Sequence, residues 1–468
     1  MHSKRNVFVV LCILLCIAVA LYFVLAGFAQ PHDELINPFL LIWMLCFLPY
    51  IGACVLVLRS PPSVGRWRVA EVGLILLGAL VFRVLLVPQV PWLSRDSWRY
   101  LWDARVILHG YSPYVYAPEN PLLKPLRDAL IYGNSGFLDV PTVYPPAAEG
   151  TYVLSYLLAP SNLFVLKAIF LSFDMLTCIG LALLLLQRGM DPHRMILYAW
   201  CPLPIVEFAI EGHVDAMVGA FLVLILLCTL KRNDAIGWRI LLGVLIALAT
   251  LTKLYPLILL VVVVTRRRDW VIPLACFVTI GLAYIPFILL GHGQVFGFFS
   301  TYASEQRQNA GVIALTIHLF MHNVLHLNDH ITVLVQYVVD AVLAGSIALW
   351  MFLLRKSERI SMEAATLILI GTIYAVSTHI FPWYTTVLLL FVPLLIGSLR
   401  TPKGLNGKSI AIAGVWYFVC TSLTAYFFRG TLDWTIYYIF VYGVTVLLLA
   451  IGIGCIVNTY RSAKERIV

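Results

Sequence analysis

The chain has 468 residues, of which 61% are hydrophobic and only 12% charged, with a mean hydropathy of +0.93. Soluble domains carry about a quarter charged residues, and a water-soluble chain of this length has nowhere to hide so much apolar surface. A soluble enzyme, a disordered chain, a collagen and a disulfide scaffold are thereby excluded, which leaves a polytopic membrane protein whose net charge of +9 must be located before it is interpreted.

Apolar runs long enough to cross lipid as helices lie at about 7–29, 39–58, 69–87, 163–187, 195–210, 213–230, 271–290, 331–354, 362–376, 385–398, 409–427 and 435–457. The first follows Met1-His2-Ser3-Lys4-Arg5, exceeds a usual signal core and reads as an uncleaved anchor. The run 237–265 carries Lys253-Leu254-Tyr255-Pro256 at its middle, which predicts a short helical hairpin whose tip reaches the far side. The expected fold is an all-α bundle of about 12–14 transmembrane segments.

With the amino terminus inside, the inner loops are 1–6, 59–68, 188–194, 231–239, 266–270, 355–361, 399–408 and 458–468. They hold 22 of the 32 Lys and Arg, so every short loop obeys the positive-inside rule and both termini are expected in the cytoplasm. The positive charge is a topology signal and gives no reason to expect nucleic acid. All ten cysteines fall in membrane segments and read as small core residues, not as disulfides or a metal cluster. No Asn-X-Ser/Thr sequon occurs, which favours a bacterial plasma membrane over a secretory compartment.

One outer connection is large. From Pro88 to Asn162 the chain leaves the membrane, carrying Arg95, Arg99 and Arg105 with Asp96 and Asp103 among Trp92, Trp98, Tyr100 and Trp102. External arginines run against the inside bias. Either they pair with Asp96 and Asp103 beside aromatic anchors, or they form a phosphate site next to a carboxylate. The apolar piece 147–159, after Val143-Tyr144-Pro145-Pro146, is too short to span and should lie in the outer leaflet.

Other polar residues gather on the same side: Glu207, Glu211, His213 and Asp215 around one turn, Lys253 and Tyr255 at the hairpin tip, Gln306-Arg307-Gln308-Asn309, and His379 with Trp383 and Tyr384. Singly, each has a plain explanation as an interface residue. Lys253 is the exception, since an ammonium in a short hairpin needs an anionic partner. Within the spans, Glu71, Arg83, Asp174 and Asp340 raise the possibility of a proton relay. Glu71 and Arg83 lie near span ends where snorkelling suffices, and no half-to-half repeat points to a common transporter fold.

The stretch Ser94-Arg95-Asp96-Ser97-Trp98-Arg99-Tyr100-Leu101-Trp102-Asp103-Ala104-Arg105, then Gly110-Tyr111-Ser112-Pro113-Tyr114 and Tyr144-Pro145-Pro146, resembles bacterial GT-C membrane glycosyltransferases. The nearest are glycosyltransferase family 87 and related polyprenol-phosphate-mannose-dependent mannosyltransferases. The resemblance continues through Tyr198-Ala199-Trp200-Cys201-Pro202, Glu207, Gly212-His213-Val214-Asp215-Ala216 and Leu251-Thr252-Lys253-Leu254-Tyr255-Pro256, and returns near His379 to Tyr384. On it, residues 69–270 form a catalytic module containing the loop 88–162, residues 271–468 complete the cavity, and 1–68 are an added transmembrane pair.

The resemblance implies transfer of a sugar, with mannose the family's choice, from a polyprenyl-phosphate donor to a lipid-linked or glycan hydroxyl outside the cytoplasm. It places the catalytic base at Asp96, with Asp103 in reserve. Arg95, Arg99, Lys253 and His379 are then expected on the donor phosphate. Tyr100, Tyr144, Glu211, His213, Asp215, Trp383 and Tyr384 are expected on sugar or acceptor. A related eukaryotic mannosyltransferase has an Asp-X-Asp pair where this chain has Ser94 and Asp96, so no metal ligand set or resident cofactor is expected, while a divalent cation stays open. A lipid or glycolipid flippase and a non-catalytic subunit of a glycosylation complex are the rival readings.

Overall fold

The computed structural model describes residues 2–230, 235–298, 309–402, 404–429, 431 and 433–465. Gln306, Arg307 and Gln308 of the expected outer cluster lie outside the described residues. The fold is helical, apart from a two-residue antiparallel ladder pairing Arg400 with Leu405 and Thr401 with Gly404. Among the described residues, 8 helices are long and apolar enough to cross a membrane: Asn6–Phe28, Ile36–Arg59, Arg66–Leu86, Leu163–Gln187, Arg267–Leu290, Ile331–Lys356, Gly407–Phe428 and Thr435–Thr459. Shorter apolar helices lie between them at Asp215–Leu230, Ile236–Thr250, Val312–Asn323, Met362–Val376 and Pro382–Leu395. The chain is an integral membrane protein.

The run 195–210 is not one span. It breaks into Ile196–Ala199 and Pro202–Ala209, because Pro202 and Pro204 supply no N–H to continue the ladder. This broken segment is the centre of the bundle, and no residue from 195 to 223 is exposed. A break inside a membrane leaves carbonyls without helical partners, which hydrocarbon cannot satisfy. Neighbouring helices supply the donors. Tyr50 Oη donates to Leu197 O at 2.7 Å, Arg83 Nη1 to Ala199 O at 2.9 Å, and Trp43 Nε1 to Pro202 O at 3.0 Å. Two of those donors come from the Ile36–Arg59 helix, which is therefore bonded into the core.

Arg83 does not snorkel. It is fully buried, with Nε 2.5 Å from Asp174 Oδ2, and Tyr198 Oη donates to Asp174 Oδ1 at 2.7 Å. Its role is to hold the broken segment and the Leu163–Gln187 helix together. Glu71 is likewise buried, accepting from Ser63 Oγ at 3.1 Å and lying 3.1 Å from His193 Nε2.

The hairpin at 237–265 is lopsided. Its outgoing arm is the helix Ile236–Thr250, while the return is a 3-10 turn Tyr255–Ile258 and the short helix Leu259–Val263. The backbone N–H groups of Ala147 and Ala148 donate to Leu251 O at 2.9 and 3.2 Å. The tip is thus docked on the first turn of Pro146–Leu158, the helix formed by the short apolar piece.

In the long loop 88–162, Arg99 pairs with Asp103 one helical turn away at 2.8 Å. Arg105 pairs instead with Asp128 at 2.7 Å and donates to Tyr156 Oη and Ser161 Oγ, tying the loop to its exit.

Candidate active site

Asp96 is the first residue of the helix Asp96–Leu108, where unpaired backbone N–H groups favour a carboxylate. The preceding turn is fixed from outside. Asp96 N–H donates to Ser94 Oγ at 3.2 Å, and Ser94 N–H donates to Glu211 Oε2 at 2.9 Å. Ser97 Oγ donates in turn to the carbonyls of Glu211 and Gly212. These bonds lock the start of the Asp96–Leu108 helix to the turn before Asp215–Leu230, although 115 residues separate Ser97 from Gly212. Glu211 is therefore a brace, and burial pushes its carboxyl up to about 7.

That turn needs glycine at 212. Its φ is +68°, and a Cβ there would stand 2.8 Å from both Lys167 Cγ and Ser97 Oγ. Lys167 itself is buried, donating to the carbonyls of Gln89 and Ile210. Gly212→Ala is expected to lower stability by about 1–3 kcal/mol and to reduce activity beyond that, by shifting Ser97 against Asp96. Thermal unfolding in detergent, compared with initial rates on the folded fraction, measures both.

Asp96 and the residues from the next turn meet above the broken segment. Tyr144 Oη donates to Asp96 Oδ2 at 3.3 Å, and His213 Nδ1 is 3.7 Å from the same oxygen. His213 Nε2 is 3.3 Å from Glu207 Oε2, and Tyr426 Oη donates to Glu207 Oε1 at 2.9 Å. The His213 ring stacks on Trp383 with centroids 3.9 Å apart, and Trp383 stacks on Phe381 at 4.6 Å. From the hairpin tip, Lys253 Nζ reaches Asp215 Oδ2 at 2.9 Å and stands 3.8 Å from the centroid of the Tyr384 ring. The partly buried ammonium thus has its anion, with a cation–π contact beside it.

These groups surround one cavity of about 1090 Å³. Asp96, Arg95, Arg99, Tyr144, Lys253, His379, Trp383 and Tyr384 line it. The remainder of the wall includes Leu254, Phe298, Tyr337, Ile373, Val376 and Trp434, so charged groups share the space with apolar and aromatic surface. Burial raises the Asp96 carboxyl above the usual carboxylate range, partly offset by the Lys253 charge and by hydrogen bonds from Ser94 and Tyr144.

Several residues singled out in the sequence stand behind the wall. Asp103 is buried on Arg99, and Arg99 spends its remaining nitrogens on the carbonyls of Phe137 at 2.6 Å and Val140 at 3.0 Å. Arg99 therefore faces the cavity as a clamp on the loop. Tyr100 offers no ring face to a sugar, because Tyr152 stacks on it at 4.3 Å; its hydroxyl donates to Tyr144 Oη at 3.3 Å. Glu211, His213 and Asp215 likewise do not line the cavity and act on it through Ser94, Asp96, Trp383 and Lys253. His379 is buried on the lining, with Thr378 Oγ1 3.2 Å from its Nδ1.

Among the lining residues the sequence did not single out are Tyr426, Arg429 and Trp434, at and just beyond the end of the Gly407–Phe428 helix. Arg429 is one of the ten basic residues outside the inner loops, and that count was the available signal. Among the described residues Arg95 and Arg429 are exposed and form no ion pair. No group of three or more His, Cys, Asp or Glu among the described residues is arranged to hold a metal ion.

The model of glycosyltransferase family 87 matches residues 143–378, which span the Tyr144 turn, the His213–Asp215 turn, the Lys253 hairpin and the approach to His379. No curated protein and no solved structure matches the chain. The matched part is half of the chain, and the protein belongs to glycosyltransferase family 87.

Proposed function

We propose that this family 87 glycosyltransferase moves a sugar, mannose first among the candidates, from a polyprenyl-phosphate donor to a lipid-linked or glycan hydroxyl by inverting single displacement. The reaction is on the extracytoplasmic face of a bacterial plasma membrane, with both termini in the cytoplasm. The observation that carries the proposal is the meeting, in one cavity of a membrane-embedded bundle, of a carboxylate, unpaired cations and apolar wall.

Each part of that wall has a step to perform. Departure of polyprenyl phosphate leaves an extra negative charge, which preorganised cations stabilise without rearrangement. Arg95, Lys253, His379 and Arg429 line the cavity and are assigned that task. Attack at C1 from the opposite face requires the acceptor hydroxyl to lose its proton; of the two carboxylates on the lining, Asp96 and Asp340, Asp96 is the one held at a helix start and is assigned that role, while Asp340 accepts from Gln336 Nε2. Inversion converts a β-linked donor into an α-linked product. Arg99, Tyr100 and Asp103 hold the loop and the tyrosine pair that orient the base.

A base works only when deprotonated. With the Asp96 carboxyl raised by burial, the rate is expected to fall on acidification at a pH above that of an ordinary aspartate, about 3.9. A pH profile of kcat/KM reads this limb directly, and a rate independent of pH through the mildly acidic range contradicts it.

The flippase alternative makes the opposite prediction in one assay. Purified protein in liposomes, given farnesyl-phosphate sugars and octyl glycoside acceptors, is expected to form a new glycosidic bond. Translocation of the donor with no new bond sinks the proposal.

A further inference from the structure

Glu207, His213 and Asp96 form a buried line that the displacement chemistry above leaves unused. Glu207 Oε2 is 3.3 Å from His213 Nε2, and His213 Nδ1 is 3.7 Å from Asp96 Oδ2. The line is held from several sides. His213 N–H donates to Glu207 O at 3.1 Å, Trp383 stacks on the imidazole, and Tyr426 Oη donates to Glu207 Oε1 at 2.9 Å. Glu207 and His213 are fully buried, and among the described residues Glu207 meets no Lys or Arg, only the His213 ring. A carboxyl in such a place stays protonated and serves as a hydrogen-bond donor.

That proton settles which nitrogen of the ring carries hydrogen. Glu207 Oε2 and both His213 nitrogens are otherwise buried without a partner, which is costly. In a neutral imidazole the bond made by one nitrogen decides the state of the other. With Glu207 O–H donating to Nε2, the ring proton stands on Nδ1 and faces Asp96 Oδ2. The opposite tautomer would turn the Nδ1 lone pair toward a carboxylate oxygen, setting two acceptors against each other.

We propose that neutral Glu207 fixes His213 as its Nδ1–H tautomer, making the ring a second donor to Asp96 beside Tyr144. The proposal rests on Asp96 being the base. The chain of donors runs one way, from Tyr426 to Glu207, from Glu207 to His213 and from His213 to Asp96. Hydrogen bonds in such a series reinforce one another. The 3.7 Å step shortens when substrate fills the site, since contacts of catalytic groups tighten in the loaded enzyme. No proton changes owner along the line, so Glu207 and His213 are positioning residues.

The base gains in two ways. Tyr144 and His213 converge on one oxygen and fix the rotation of the carboxylate. They also favour its charged form, as Ser94 and Lys253 do, against the burial and the Asp215 charge that raise it.

Glu207→Gln preserves the arrangement, because its amide N–H donates to Nε2 while its oxygen accepts from Tyr426. Glu207→Leu removes the donor. Farnesyl-phosphate mannose, glucose and arabinose serve as donors and octyl glycosides as acceptors. Glu207→Leu is expected to lose about 10- to 100-fold in kcat/KM at neutral pH, with its acid limb moved up by about one pH unit. Glu207→Gln should rescue most of that loss and return the limb to its wild-type position. A purely structural role moves stability and leaves the limb in place. NMR of isotope-labelled histidine nitrogens, with His213→Gln giving the difference spectrum, reads the ring directly in substrate-free protein. The wild type and Glu207→Gln should show Nδ1 protonated, and Glu207→Leu should not hold that single form. Where Glu207→Leu does not fold, the wild-type spectrum and the activity and limb of Glu207→Gln decide alone.

An imidazolium or an Nε2–H ring in the wild type overturns the proposal. So does a Glu207→Gln enzyme slowed 10-fold or more, or an unmoved acid limb in Glu207→Leu. If any of these accompanies an inactive Asp96→Asn, the base stands and only the role of Glu207 and His213 falls. A folded Asp96→Asn that keeps its turnover removes the base, and the positioning role falls with it. A wild type that turns over none of the three donors fails the reading of function, and the positioning role with it.

Discussion

Asp96→Asn is expected to give a folded, membrane-inserted protein whose sugar transfer is lower by about 10²–10⁴-fold, the range general-base catalysis supplies. The substitution changes little else. The backbone N–H of residue 96 keeps its bond to Ser94 Oγ, and an amide oxygen still accepts from Tyr144 Oη. What disappears is the lone pair that takes a proton. Initial rates at saturating farnesyl-phosphate donor, with unfolding temperature as the control, separate the two effects. Retained turnover in a folded Asp96→Asn protein removes Asp96 as the base, and Asp103, buried on Arg99, does not offer a ready replacement.

Lys253→Ala should be costly in a different way. Its ammonium neutralises Asp215, whose side chain is 1% exposed, so deletion leaves a buried charge alone. Removing one member of such a pair destabilises by about 3–5 kcal/mol. The same deletion takes a cation from the lining, and a loss of one preorganised electrostatic group costs about 10²–10³-fold in kcat. The two roles separate in the double variant Lys253→Ala with Asp215→Asn. Its unfolding temperature is expected to recover most of the loss while its activity does not. Recovery of activity along with stability assigns Lys253 to the fold alone. Lys253→Arg should hold the charge but turn over slowly, because a planar guanidinium does not reproduce a compact ammonium seated on the Tyr384 ring.

Charge scarcity made much of the site readable in the sequence. A membrane chain with so few charges rarely places them without need, and the expected outward position of Asp96, Arg95 and Lys253 marked them in the sequence. All three line the cavity, together with Tyr144, His379, Trp383 and Tyr384. Composition and run lengths similarly fixed the helical bundle. The interior was less legible. Run length cannot distinguish a lipid-crossing helix from the broken segment at 196–209, whose identity depends on donors from Tyr50, Arg83 and Trp43, all more than 100 residues away.

Pairing at long range was the other hidden element. Arg83 near a span end has a sound explanation as a snorkelling residue until Asp174 is found beside it. Tyr100 has the composition of a sugar platform until Tyr152 covers its face. The Arg99–Asp103 pair was visible because it is one helical turn long, whereas the partner of Arg105 was not, since Asp128 lies in irregular loop. Tyr426 and Trp434 escaped notice because aromatic residues near span ends are common anchors.

The central claim is a single displacement from a lipid-linked phosphate. It is tested most directly by the anomeric configuration of the product that purified wild-type protein makes from a β-linked farnesyl-phosphate sugar, read by NMR from the one-bond coupling at C1. An α-linked glycoside formed without added protein partners is the result this account predicts. A β-linked product, which requires a covalent glycosyl-enzyme or a second displacement, would contradict it.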